Sequence, residues 1–345
     1  MNLLVNYELF LAKIITFIMI IAAIVIFFCS FRKRKNNTKS NLKITLLKDN
    51  YQDIKNNVLL STMENFEKKI WIKKEKEKNK EKKKEILKNK EKYFKNKKKI
   101  LYIIDFKGGL YAKEVIGLRE EISAILSVAN KNDEVLLRLE SSGGVIHGYG
   151  LAASQLNRLR QKGIRLIVSV DKIAASGGYM MACVADYIVS APFAIIGSIG
   201  VVGQIPNFHK LLKKCNIDVE LHTAGDYKRT LTMFGHNTDL TRKKFCEELN
   251  STHELFKNFI KEMRPSLDIE TVSNGEHWFG TMALEKKLVD EINTSDDILT
   301  SKMKEYTLLS IQYVYPKKII ERFTSSISHN FSKILLKMFL NKNYF

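Results

Sequence analysis

Cysteine is scarce and poorly placed for most of its chemistry: Cys29, Cys183, Cys215 and Cys246 stand far apart in a chain of 345 residues. That spacing excludes a paired zinc site, and four thiols are too few for a disulfide scaffold. They read as free thiols. Histidine offers no better anchor for a site. His147, His209, His222, His236, His253, His277 and His329 are scattered, and none sits in an arrangement that marks a metal ligand or a general base. No metal and no cofactor is expected. The stretch from Glu64 to Lys99 lacks the interleaved aromatics that stack bases, so nucleic acid is a poor partner. It also has too few apolar residues to build a core. It holds 17 Lys and 7 Glu, a net +10 that is half of the chain's formal +20. The basic charge therefore belongs to a segment and not to the whole fold.

The amino-terminal region has no basic start ahead of its apolar run and no small-x-small site after it, which argues against a cleaved signal peptide. What it does have is Ile14 to Phe31, an uncharged run of 18 residues, close to the roughly 20 that cross a bilayer core. Lys13 can snorkel at one end, and Arg32-Lys33-Arg34-Lys35 follows the other. This predicts an uncleaved single-pass anchor over residues 1–35, in contact with lipid, and a Lys-rich, partly helical spacer over 36–99. The basic cluster after the anchor would hold everything downstream in the cytoplasm.

From Ile100 the composition changes. Ile100 to Phe106 reads as a buried strand, Glu114 to Ala129 as an amphipathic helix, Glu134 to Leu139 as a strand, Tyr149 to Arg160 as a helix and Ile164 to Val170 as a strand. This alternation predicts an α/β protein with parallel strands and crossover helices. Tyr187 to Ser190, Ala194 to Val202 and Ile217 to His222 are further strand candidates, and Asp239 to Met263 is a long helix ended by Arg264-Pro265. The tail, residues 311–345, carries apolar residues at roughly helical spacing among Lys and Arg.

Two glycine turns fall at strand ends, where open parallel sheets collect their active groups. One is Ser141-Ser142-Gly143-Gly144. The other is Ala174-Ala175-Ser176-Gly177-Gly178-Tyr179, in which small neighbours leave Ser176 approachable and a helix start would aim free amides at a developing oxyanion. The same turn could simply cap a helix. A serine nucleophile needs a base, and Lys228, among Tyr227, Leu231, Met233 and Phe234, is a better candidate than any histidine.

These motifs, with Gly197-Ser198-Ile199-Gly200 and Gly225-Asp226-Tyr227-Lys228, resemble the signal-peptide-peptidase family of membrane serine proteases. The likeness extends from the anchor through the spacer to Arg264-Pro265-Ser266-Leu267-Asp268, in the manner of the family's half-length inner-membrane members. It implies a Clp-protease/crotonase-like fold over 100–310 and a Ser-Lys dyad of Ser176 and Lys228, 52 residues apart. Ser198 would orient the lysine, and the amides of Gly143, Gly144 and Gly177 would form the oxyanion hole. It further implies a homo-oligomer acting on extended, apolar peptides, with its catalytic domain outside the cytoplasm and thus against the charge rule. Three positions depart from the family pattern: Ser142 replaces proline, Gly203 replaces alanine, and Lys287 replaces the glycine before Leu288-Val289-Asp290. A crotonase-like acyl-CoA enzyme and a non-enzymatic membrane scaffold are the competing functions.

Overall fold

Three nearly uninterrupted apolar runs make the centre of the sheet: Lys99–Gly108 (β2), Glu134–Ser141 (β3) and Arg165–Val170 (β4). Leu101 to Ile104, Val135 to Leu137 and Leu166 to Val168 are all buried. A strand apolar on successive residues must be covered on both faces, as parallel strands are. β2 pairs with β3, and β3 with β4, in parallel, with Ile103 opposite Leu136 and Leu136 opposite Ile167. The crossovers are Val115–Val128 (α3) and Ile146–Gln161 (α4).

The computed structural model describes residues 10, 13–21, 41–88 and 98–315. The chain divides into two units, 1–42 with 314–345, and 43–313. In the first, residues 13–21 are helical and exposed, and Val314 donates its N–H to the Asn41 carbonyl at 2.7 Å. Among the described residues no helix is long and apolar enough to cross a membrane. The rest of the expected anchor, 1–9, 11–12 and 22–35, the spacer residues 36–40 and 89–97, and the tail from 316 onward lie outside them.

The strand Leu42–Leu46 (β1) starts at the last residue of the first unit, and the second unit continues with its remaining residues and the spacer helices Leu47–Thr62 (α1) and Asn65–Lys88 (α2). Its remaining strands are Ile173–Ala175 (β5), Tyr187–Ser190 (β6), Ile195–Gly197 (β7), His277–Phe279 (β8), Glu291–Ile292 (β9) and Tyr306–Tyr313 (β10). The helices are Gly177–Ala182 (α5), His209–Lys214 (α6), Asp239–Met263 (α7), Ile269–Val272 (α8), Gly280–Glu285 (α9) and Ser295–Lys302 (α10). The main path of the sheet is β1-β10-β2-β3-β4-β6-β9. Ile298 and Leu299 of α10 pack on Leu101, Ile103 and Leu136, closing one face of the sheet's first half.

At the end of β3 the sheet forks. β4 lies beside residues 134–138, whereas Ser141 pairs instead with Ala174 of β5, which leads a short branch through β7 to antiparallel β8. The fork carries the Ser176 turn out beyond the main sheet.

The structure corrects several expected elements. Ala194 to Val202 is a strand only over Ile195–Gly197, because Gly197, at φ +103°, turns the chain away. Ile217 to His222 is not a strand: its side chains are exposed and no neighbouring strand pairs with it. Ile311 to Tyr313, assigned to the tail, complete β10, which pairs in parallel with β2.

One clamp holds the site's helix from behind. Arg264, buried after α7, donates to both Asp290 carboxylate oxygens at 2.7 and 2.8 Å and to the Lys287 carbonyl at 3.1 Å. Burial works against its charge, but the Asp290 carboxylate holds the guanidinium above its ordinary range. Tyr179 of α5 donates its hydroxyl to the adjacent Leu288 carbonyl at 2.9 Å.

Candidate active site

Ser176 joins β5 to α5 with φ 52° and ψ −119°. A side chain at positive φ is sterically costly, and such strain collects at functional turns. Two bonds hold it there: the Ser176 N–H donates to the Gly197 carbonyl at 2.8 Å, and its own carbonyl accepts the Met180 N–H at 2.9 Å. The expected helix start is therefore real. The side chain makes no capping bond, so the cap reading of Ser176 fails.

The Gly143 turn sits directly against this serine. Gly143 has φ +87°, and a Cβ there would lie 2.7 Å from the Gly177 nitrogen and 2.8 Å from the Ser176 Cβ. Any side chain would fill the space where the two turns meet. Gly144 abuts the Leu110 carbonyl, which accepts the Val145 N–H at 2.9 Å. The amides of Gly144 and Gly177 have no acceptor among the described residues. The Gly143 N–H, by contrast, donates to Ser141 Oγ at 3.1 Å.

Ser198 follows the Gly197 whose carbonyl holds Ser176, at φ 52°, with its N–H donated to the Glu276 carbonyl at 2.6 Å. The fold thus brings together Ser176, Gly143, Gly144, Gly177 and Ser198. It does not bring Lys228 into contact with them. Lys228 is exposed, and no hydrogen bond joins it to Ser176 or Ser198 among the described residues. Its neighbour Tyr227 lies under Lys244 of α7, with 4.8 Å from Nζ to the ring centroid. Nearby is an apolar cavity of about 490 Å³, lined by Ile205, Val219, Leu221, Leu231, Met233 and Phe234 among others.

Two residues of the site escaped sequence reasoning. Tyr149, fully buried, places its ring against Gly177 and its hydroxyl 2.5 Å from Ser141 Oγ. Burial pushes the phenol above its ordinary range, so it stays protonated. Their only local signal is a glycine on either side of Tyr149 and a serine ahead of the Gly143 turn. Cys183, behind α5, is buried and its thiol is pushed up, which leaves it inert. Among the described residues no cluster of His, Cys, Asp or Glu could hold a metal ion.

A large, mostly parallel sheet with a strained serine at a strand-to-helix turn defines a mixed α/β protein of hydrolase type. The pattern of the peptidase family S49 N-terminal region matches residues 2–156, and that of peptidase family S49 matches residues 158–309. The chain belongs to peptidase family S49, and its class is protease. It is 78% identical over 344 residues to "Probable protease SohB" of Buchnera aphidicola from Acyrthosiphon pisum, covering 100% of both chains. It is 50% identical over 325 residues to "Probable protease SohB" of Haemophilus influenzae, covering 93% of this chain and 92% of that one. A membrane-bound stomatin-specific protease of known structure aligns with 59% of this chain and 85% of its own at 15% identity and a TM-score of 0.38, too remote to define the fold.

Proposed function

We propose that the chain is a membrane-anchored serine endopeptidase with a Clp-protease/crotonase-like catalytic domain and a Ser176–Lys228 dyad. The observation that carries this reading is the strained Ser176 turn with the unengaged Gly177 amide beside it. Strand-to-helix turns of this kind present a nucleophile at the top of a sheet.

In the reaction, the neutral Lys228 amine takes the Ser176 hydroxyl proton as Oγ bonds to the scissile carbonyl carbon. The carbonyl electron pair moves onto oxygen, where the amide of Gly144 in the Gly143-Gly144 turn and that of Gly177 receive it. Collapse of the adduct expels the amine, which takes its proton from the Lys228 ammonium. Water, deprotonated by Lys228, then hydrolyses the acyl ester and frees Ser176. Ser198 orients the lysine. Each oxyanion donor contributes on the order of 3 kcal/mol at the transition state.

Lys228 is exposed in the single chain, within a segment whose Ile217, Val219, Leu221 and Tyr227 are also exposed. We read this segment as the surface that a homo-oligomer covers, and burial there favours the neutral amine that the mechanism needs. Extended, apolar peptides fit a groove beside short strands. The apolar run before Arg32 would fix the protein in a bacterial inner membrane. Proteolysis of sealed membranes decides between an outer catalytic domain, which the family resemblance favours, and the cytoplasmic one that the basic cluster favours.

The test is labelling and turnover by the detergent-solubilised chain. A serine-directed phosphonate should modify Ser176, and Ser176→Ala and Lys228→Ala should each abolish cleavage of an apolar peptide. Unchanged cleavage in both variants would sink the dyad. Turnover of an acyl-CoA without labelling would favour the crotonase-like alternative, and full cellular function of both variants would favour a scaffold.

A further inference from the structure

Beneath the Ser176 turn runs a chain of hydrogen bonds with a single sensible direction. The Tyr149 hydroxyl donates to the Gly109 carbonyl at 2.8 Å. Its one proton is then used, so the 2.5 Å contact with Ser141 takes its proton from Ser141 Oγ. The Gly108 carbonyl, at 3.3 Å, is the longer alternative for that proton. Ser141 Oγ in turn accepts the Gly143 N–H at 3.1 Å. Gly143 to Ser141 to Tyr149 to Gly109 thus forms one head-to-tail series in which each bond polarises the next.

The geometry points to Tyr149 and Ser141 as positioning residues of the oxyanion turn, with Gly143 spent on that support and Gly144 and Gly177 left as the donating amides. This rests on the serine-peptidase reading above. The Gly143 N–H is engaged, while those of Gly144 and Gly177 have no acceptor among the described residues. The Tyr149 ring backs the second donor directly, since a Cβ on Gly177 would lie 2.5 to 2.8 Å from its ring and Cβ atoms. One fully buried side chain therefore supports both halves of the hole, the Gly143-Gly144 turn indirectly through Ser141 and Gly177 by direct contact. An amide has to be held where the oxyanion will form, and not where the substrate carbonyl rests. Loosening this support should therefore weaken the transition state more than substrate binding.

The experiment uses the full chain in detergent. Tyr149→Phe keeps the ring and removes the hydroxyl, and Ser141→Ala breaks the same series from its other side. Each should lower kcat on an apolar peptide about tenfold with KM unchanged, a part of the roughly hundredfold that loss of a whole donor costs. A peptide aldehyde, which forms a tetrahedral adduct, should lose affinity by a similar factor, while an uncleavable peptide of the same sequence binds as before. The double variant should lose little more than the worse single one, because both cut one series. The proposal is overturned if aldehyde and uncleavable peptide weaken equally, if kcat stays within about twofold of wild type, or if the two losses simply multiply. Should Tyr149→Phe fail to fold, Ser141→Ala decides alone by the same aldehyde comparison. A wild-type protein that cleaves no peptide and is not labelled at Ser176 overturns the peptidase reading and this role with it. An active wild type with unaffected variants overturns only the positioning role.

Discussion

Glu121 on α3 is 5% exposed, and its Oε1 accepts the Tyr313 N–H at 2.6 Å. Burial pushes its carboxyl from 4.5 up to about 7, against the pull of the Tyr313 amide and with a further push from Asp105. An acid whose folded pKa lies above its unfolded value stabilises the fold while protonated in both states, below about 4.5. That contribution is lost as pH rises through about 7, where the ionised carboxylate must stay buried. The interval of about 2.5 pH units, at about 1.4 kcal/mol each, makes the loss about 3 kcal/mol above pH 7. Glu121→Gln keeps an acceptor for Tyr313 and cannot ionise. Its stability advantage over wild type should therefore grow by about 2 to 3 kcal/mol between pH 5 and pH 8, or by roughly 3–5 °C in Tm for a chain of this size. Reversible guanidinium unfolding in detergent at the two pH values reads the difference. An advantage that is the same at pH 5 and pH 8 would refute the reasoning, because a group that does not titrate between them cannot be the buried acid described.

Lys287 ends α9 in a Schellman turn: its N–H donates to the Leu284 carbonyl and that of Leu288 to Ala283, both at 2.9 Å, with φ at +61°. Lys287→Gly should raise stability by about 0.5–1 kcal/mol, the relief of left-handed strain less glycine's extra unfolded freedom, measured as a higher denaturation midpoint at constant m-value. Arg264→Met leaves the Asp290 carboxylate without its bidentate partner and should cost about 3 kcal/mol; a loss under about 1 kcal/mol in the same unfolding assay would mean that the clamp is a surface pair in effect. Gly177→Ala forces a methyl into the Tyr149 ring, so peptide cleavage should fall at least about a hundredfold while phosphonate labelling of Ser176 slows in parallel.

Much of the fold could be read locally. Lys99–Gly108, Glu134–Ser141 and Arg165–Val170 announce buried parallel strands because apolar residues follow one another without alternation, and Asp239–Met263 begins where Thr238 caps it, its Oγ1 accepting the Thr241 N–H at 3.3 Å. The Ser176 and Gly143 turns were legible too, since glycines and small residues at strand ends allow few other backbone paths. Family resemblance added Ser198 to them, and it gave Lys228, already a candidate base from its apolar neighbours, its partner in Ser176. Residues 306–313 were not legible, because their strand partner, β2, lies about 200 residues earlier and nothing local records that pairing. Ile217 to His222 misled for the converse reason, having strand composition with no strand to join.

The sequence by itself determined which segments are apolar on which faces and which residue types meet in the two glycine turns, since those follow from side-chain chemistry and short-range backbone sterics. Only the tertiary structure decided that the sheet forks after β3, that Gly143 spends its amide on Ser141 while Gly144 and Gly177 keep theirs, and that Lys228 stays at the surface of the single chain. Those outcomes depend on which distant groups reach hydrogen-bonding distance, and that is fixed by packing across the whole sheet and not by any neighbour along the chain.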